Sequence, residues 1–110
     1  MTRDTRHMDV TSFVASLAEN GGLVFESDMG HGYLHVPKEI LGYLNLKVSD
    51  FSSYSFTDHN KVYLEEDCDA SKFVKAWQKF CDVDMNPIVR EIHTNGDAEC
   101  RSYQRIKEGE

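Results

Sequence analysis

The chain has 110 residues, 40% of them hydrophobic and 11% aromatic, which is enough apolar surface for one core and too short a chain for two, so wholesale disorder and a multidomain layout are excluded. With 19 acidic against 12 basic residues the formal charge is -7, which repels a phosphate backbone and disfavours direct nucleic-acid binding. No apolar run approaches the roughly 18 residues that span a bilayer, and the start Met1-Thr2-Arg3-Asp4-Thr5-Arg6-His7 has no apolar signal-peptide centre, so a cytoplasmic protein with no membrane contact is expected.

Val10, Phe13, Val14, Leu17 and Ala18 recur at helical spacing, with Asp9 or Thr11 placed as N-cap and Gly21-Gly22 as the stop. Leu23-Val24-Phe25 reads as a strand, Asp28-Met29-Gly30-His31-Gly32 as a loop, and Tyr33-Leu34-His35-Val36 as the returning strand of a hairpin. Pro37, with φ preset and no N–H to lose, suits the start of a short helix through Lys38 to Tyr43 whose apolar side is Ile40, Leu41 and Leu44. Ser53-Tyr54-Ser55-Phe56 and Lys61-Val62-Tyr63-Leu64 alternate about the turn Thr57-Asp58-His59-Asn60, which predicts a second hairpin with Tyr54 and Phe56 facing inward beside Val62 and Leu64. Over 70–81, Phe73, Val74, Trp77, Phe80 and Cys81 form one apolar stripe opposite Lys72, Lys75, Gln78 and Lys79. After the break at Asn86-Pro87, segments 88–93 and 98–106 flank Thr94-Asn95-Gly96-Asp97, and Asn-Gly is a tight-turn signal for a third hairpin. The sum is a single small α+β domain over 1–110: an antiparallel sheet of about three hairpins with helices packed mainly on one face, and loose ends at 1–8 and 107–110.

Three cysteines, Cys68, Cys81 and Cys100, have neither an even count nor CxxC spacing, so reduced and mostly buried thiols are expected, with no disulfide framework and no zinc site. The densest polar feature is Glu65-Glu66-Asp67-Cys68-Asp69, four carboxylates in five residues where a strand pattern gives way to a helix pattern. Asp67 and Asp69 suit the positive end of that helix, whereas Glu65 and Glu66 belong to the strand end and face solvent or a partner. EF-hand spacing and its glycine are absent, so this is no calcium loop.

His31, Tyr33 and His35 share strand parity and one face, and with His59 they offer a ligand-binding alternative to the acidic run. Four residues of strand separate His31 from His35 by about 13 Å, too far for two imidazoles on one zinc, so no metal site is expected. Cys68 as a nucleophile would gain from a helix N-terminus, but the neighbouring carboxylates oppose thiolate formation. No nucleophile elbow surrounds Ser53 or Ser55, and Gly30-His31-Gly32 is too short for a phosphate loop. The residues therefore predict neither a catalytic site nor a cofactor.

Three blocks, Gly30-His31-Gly32-Tyr33-Leu34-His35-Val36-Pro37, then Ser52-Ser53-Tyr54-Ser55-Phe56, then Val62-Tyr63-Leu64-Glu65-Glu66-Asp67-Cys68-Asp69-Ala70 with Phe73, together resemble a family of small proteins carried by phages, plasmids and other mobile elements. The resemblance covers 30–73 and implies a genomic setting more than a chemistry. In such a setting small acidic proteins commonly occupy a host protein's surface, and a charge of -7 suits a partner whose basic groove normally holds nucleic acid. The expected function is a non-enzymatic interaction protein, an inhibitor of a host defence or nucleic-acid-processing complex such as a CRISPR effector. In it Glu65, Glu66, Asp67 and Asp69 mimic phosphates or pair with Arg and Lys, and Tyr54 and Tyr63 add contact area. The alternative is a small-ligand or nucleotide-binding module, a sponge for a signalling molecule, built on His31, Tyr33, His35 and His59.

Overall fold

A computed structural model describes residues 10–19, 21–81, 84–107 and 109. The chain is α+β. In order it forms α1 (Val10–Glu19), β1 (Leu23–Ser27), β2 (Gly32–Pro37), α2 (Lys38–Tyr43), β3 (Phe56–Thr57), β4 (Lys61–Glu65), α3 (Ala70–Cys81), β5 (Val89–His93) and β6 (Gln104–Arg105). The six strands make one sheet in the order β5-β1-β2-β4-β3-β6. Every pairing is antiparallel except β1 with β5. The candidate cap Asp9 and the end 1–8 lie outside the described residues. At the other end Ile106 is buried and the Gly109 N–H donates to the Ser49 carbonyl at 2.9 Å.

α1 ends as its sequence dictates: Gly21 and Gly22 take φ of 96° and 66°, and their N–H groups close on the carbonyls of Ala18 and Leu17. Gly22 also lies so close to Ile88 that a Cβ would sit 2.2 Å from its carbonyl oxygen, so only glycine lets α1 turn into β1 against the segment before β5.

Strand alternation divides the sheet into two unlike faces. On one, Leu23, Leu34, Val36, Val62 and Leu64 meet Leu17 of α1, Ile40 and Leu41 of α2, and Phe73 and Trp77 of α3, with Phe51 and Ile106 closing the same core. On the other, Tyr33, Phe56 and Tyr63 are covered by Ala98 and by Cys100 of the single 3-10 turn that follows it, Glu99–Ser102, with Tyr103 against them. The helices thus take the aliphatic face, and a thin strap covers a face rich in tyrosine and ionisable side chains. Among the described residues no helix is long and apolar enough to cross a membrane.

Two expectations are corrected. Phe56 pairs with Tyr63 and Thr57 with Val62, so Phe56 lies on the tyrosine face, not beside Val62 and Leu64; Tyr54 precedes the strand and is 64% exposed. The reason is that β3 is only two residues long, because 52–55 is held as a turn. The segments around Asn95-Gly96 do not pair with each other: β5 runs parallel to β1 on one edge, while β6 pairs with β3 on the other. Gly96 does adopt φ of 87°, but the chain after it crosses the sheet because Asp28 holds Ala98 and Arg101, as described below.

Candidate functional site

Glu65 is the last residue of β4 and pairs with Tyr33 of β2, which turns its side chain onto the tyrosine face instead of into solvent. It is 5% exposed. Its Oε1 accepts the N–H groups of Asp67 at 2.9 Å and Cys68 at 3.0 Å, its Oε2 lies 3.3 Å from His31 Nδ1, and its own N–H donates to Ser55 Oγ at 2.9 Å. Asp69 is buried next to it. Its carboxylate accepts the Ser52 N–H at 3.0 Å and the Ser52 hydroxyl at 2.7 Å, and also the Ser55 hydroxyl. These bonds tie 52–55 to the start of α3 and leave Tyr54 near the tip of a fixed turn.

The acidic run therefore divides differently from the expected partition. Glu65 and Asp69 are interior braces, unavailable to a partner, while Glu66 and Asp67 are exposed. Glu66 follows the strand, with its N–H donating to the Gly32 carbonyl at 2.9 Å. A Cβ on Gly32 would meet Phe25 at 2.3 Å and the Glu66 carboxyl carbon at 3.0 Å, so glycine is needed where these elements converge.

Opposite Glu65 stands an ion pair that the sequence did not advertise. Asp28, whose side chain is inaccessible, accepts from Arg101 Nε at 2.8 Å and Nη2 at 2.9 Å. It also accepts the N–H groups of Gly30, His31 and Ala98 at 2.9, 2.8 and 2.8 Å. The Arg101 guanidinium, opposed by burial and helped by these N–H groups, holds the Asp28 carboxyl well below the usual carboxylate range. One carboxylate thus fixes the histidine loop and the strap together.

Between the two braces lies a cleft of about 450 Å³. Its aromatic lining is Tyr33, Tyr54 and Phe56; its polar lining is His31, Glu65, Asp67 and Cys68, with Arg101 and Arg105 on the strap side. Tyr33 and Phe56 meet edge to face with ring centroids 5.8 Å apart. Arg101 lies 5.9 Å from the Tyr33 ring and Arg105 4.9 Å from the Phe56 ring, while Arg105 Nη1 donates to the Ser53 carbonyl at 2.8 Å. Residues from both expected sites, the acidic run and the histidine face, thus line one cavity.

The remaining candidates lie elsewhere. His35 pairs with Glu26 at 3.0 Å, and Glu26 also accepts the Thr94 hydroxyl. Burial depresses the His35 imidazole despite that carboxylate. Tyr63 is buried with its hydroxyl on Asp58 at 2.6 Å and its ring between His35 and Tyr103, so it offers no contact surface, and burial followed by Asp58 drives its phenol upward. His59 is exposed in the 57–60 turn. His31 and His35 therefore serve separate carboxylates, and among the described residues no group of three or more His, Cys, Asp or Glu is placed to hold a metal ion.

Of the cysteines only Cys100 is buried, its thiol pushed up to about 12 chiefly by desolvation; Cys81 is half-buried and Cys68 exposed, and none of the three is in a disulfide. Desolvation and then the Glu65 carboxylate also raise the Cys68 thiol, the reverse of what a thiolate nucleophile needs. Phe56, Arg101, Arg105 and the Asp28 anchor were not singled out from sequence. Asp28 before Met29-Gly30 was legible as a turn-forming aspartate, but its arginine, 73 residues away, was not. Comparison of the chain with protein-family models, curated proteins and solved structures gives no match.

Proposed function

We propose that this chain is a non-catalytic binding module that docks a protein partner at the mouth of the Tyr54 cleft. One observation carries the reading: Tyr54 is 64% exposed on a turn fixed by buried Asp69, and together with exposed Asp67 it lines a cavity with an aromatic wall. An aromatic side chain presented from a fixed backbone leaves less chain to order on docking, and tyrosine is among the residues that anchor interfaces. The exposed carboxylates of Glu66 and Asp67 and the charge of -7 match a partner with a basic surface. In the mobile-element setting that the three sequence blocks imply, that partner is a host protein, and covering its nucleic-acid groove would inhibit a defence or processing complex such as a CRISPR effector.

The small-ligand alternative has less support. The cleft volume is within the usual range for ligand sites, but Arg101 is committed to Asp28, and Glu65 would repel a phosphate. Two experiments separate the readings. Immobilised chain should retain a host-lysate protein in a salt-sensitive manner, and Glu66→Lys with Asp67→Lys should abolish that retention; unchanged retention contradicts the docking reading. A nucleotide at 100 times its dissociation constant would add about 2.7 kcal/mol of stability, so a thermal shift across a nucleotide panel would favour the alternative.

A further inference from the structure

We propose that the outer edge of β5 is the interface of a symmetric dimer of this chain, formed by antiparallel pairing of β5 with β5 of a second copy about Ile92. β5 is an edge strand, and among the described residues no strand pairs with its outer side. The surface is on the opposite sheet edge from the cleft, and the inference is independent of the docking reading.

The backbone directions follow from one bond. The Thr94 N–H donates to the Ser27 carbonyl, and Ser27 pairs with His93 in the parallel ladder. Alternation along the strand then aims the N–H and C=O groups of Arg90 and Ile92 at β1 and those of Val89, Glu91 and His93 outward. Arg90, Glu91, Ile92 and His93 are all exposed, and Ile92, at 40%, is one of only three large apolar side chains so exposed among the described residues. A free edge that carries an exposed apolar side chain is a template for strand addition.

Self-complementarity selects the register. A two-fold axis normal to a continuous sheet maps each face onto itself, so the central residue must face its own copy. Centring on Arg90 sets two guanidiniums opposite each other, and centring on Glu91 sets two carboxylates opposite; both are destabilising. Centring on Val89 or His93 carries most of the ladder past one end of the strand. Centring on Ile92 instead makes an apolar pair at the close, non-hydrogen-bonded position, where Cα atoms are about 4.5 Å apart. It also places Glu91 opposite His93 on both sides, in the hydrogen-bonded positions where the outward groups of each strand meet. His93 is prepared for this contact: the Ser27 hydroxyl lies 3.1 Å from its Nδ1, and when that hydroxyl donates, Nε2 carries the proton and points its donor away from β1 toward a carboxylate. The same charges that block the other registers therefore favour this one.

Sedimentation or light scattering of the full chain from about 10 µM to about 1 mM spans the range expected of so small an interface. The expected result is a monomer–dimer equilibrium that Ile92→Lys and Glu91→Pro each weaken at least tenfold. The proline removes only an outward N–H, so the bond pattern to β1 survives, and unchanged circular dichroism confirms folding. For register, mild oxidation of Ile92→Cys in a Cys68→Ser background should give a covalent dimer, whereas Arg90→Cys in the same background should not, because its copies lie four residues apart. A chain that stays monomeric throughout, a dimer that survives both edge variants, or cross-linking through Arg90→Cys in place of Ile92→Cys would each overturn the proposal.

Discussion

Removal of the Asp28 charge by Asp28→Asn tests the physical basis of the cleft most severely, since this carboxylate receives five donors from two segments far apart in sequence, the histidine loop and the strap. In the variant an amide NH₂ replaces one oxygen, so a donor faces donors: whichever way the amide sits, at least two N–H groups lose their acceptor. Breaking a buried ion pair by removing one partner costs about 3–5 kcal/mol. Arg101 is 29% exposed and can partly rehydrate, which places the expected loss near the lower bound, about 3 kcal/mol. For a domain of this size that corresponds to a fall in Tm of roughly 12–20 °C. Arg101→Met leaves Asp28 with three backbone donors and should cost about 2 kcal/mol. The double variant should lose less than the sum by about 1 kcal/mol or more, because the two groups share one interaction. Urea titration followed by the fluorescence of Trp77, the single tryptophan and a fully buried one, reads all four proteins. A loss below about 1 kcal/mol for Asp28→Asn, or strict additivity of the two variants, would refute the assignment of Asp28 as the anchor of the strap.

Asp69→Ala should destabilise the chain by about 3 kcal/mol, whereas Asp67→Ala should stay within about 0.5 kcal/mol of wild type; equal effects in urea titration would undo the division of the acidic run. Stability should decline with acid in two stages. His35 is depressed below its unfolded value of about 6.5, so the unfolded chain binds the proton first, and stability that is complete above that pH falls below it. Asp28 is lowered by Arg101, and Asp58, although raised by burial, is lowered on balance by Tyr63 and two backbone N–H groups; their contribution is complete above the unfolded carboxyl value of about 3.9 and is lost as pH falls further. His35→Asn should remove the first stage alone in melting curves between pH 8 and pH 3; persistence of that stage would assign it elsewhere. Cys68 should react with iodoacetamide at pH 8 more slowly in the folded chain than in urea despite its exposure, since its thiol is raised; an equal or faster folded rate would contradict the carboxylate effect.

Local patterns disclosed most of the framework. Gly21-Gly22 stopped α1, the stripe of Phe73 and Trp77 placed α3, and the alternation of Leu34 with Val36 and of Val62 with Leu64 put the aliphatic side chains under the helices, because each of these signals is decided within a few residues. The third hairpin was misread for the opposite reason. Asn95-Gly96 fixes a turn, but which edge each flanking strand joins depends on Asp28 drawing Ala98 and Arg101 across the sheet, a contact spanning 70 or more residues. The site shows the same division. Parity places His31 and Tyr33 together, and both line the cleft with Tyr54. Its position at a strand end makes Glu65 look outward-facing, yet its parity with Tyr63 sets it on the covered face. What remained hidden was that this face is covered at all, by a strap whose own sequence carries no regular pattern. The expected inward Tyr54 failed because Asp69 holds 52–55 as a turn, and a buried aspartate bonded to two serines looks, in sequence, like a helix cap.

The proposed docking role of the cleft mouth is tested most directly by measuring the affinity of a protein retained from host lysate for wild-type chain and for Tyr54→Ala. Tyr54 packs on the surface, so its loss should leave the melting temperature nearly unchanged, while an interface anchor of this kind contributes about 2 kcal/mol or more, a weakening of roughly 30-fold. Calorimetric titration that gives this loss, together with a comparable loss for the Glu66→Lys, Asp67→Lys variant and none for Lys75→Glu on the helical face, is the predicted result. Wild-type affinity in the Tyr54→Ala chain would contradict it.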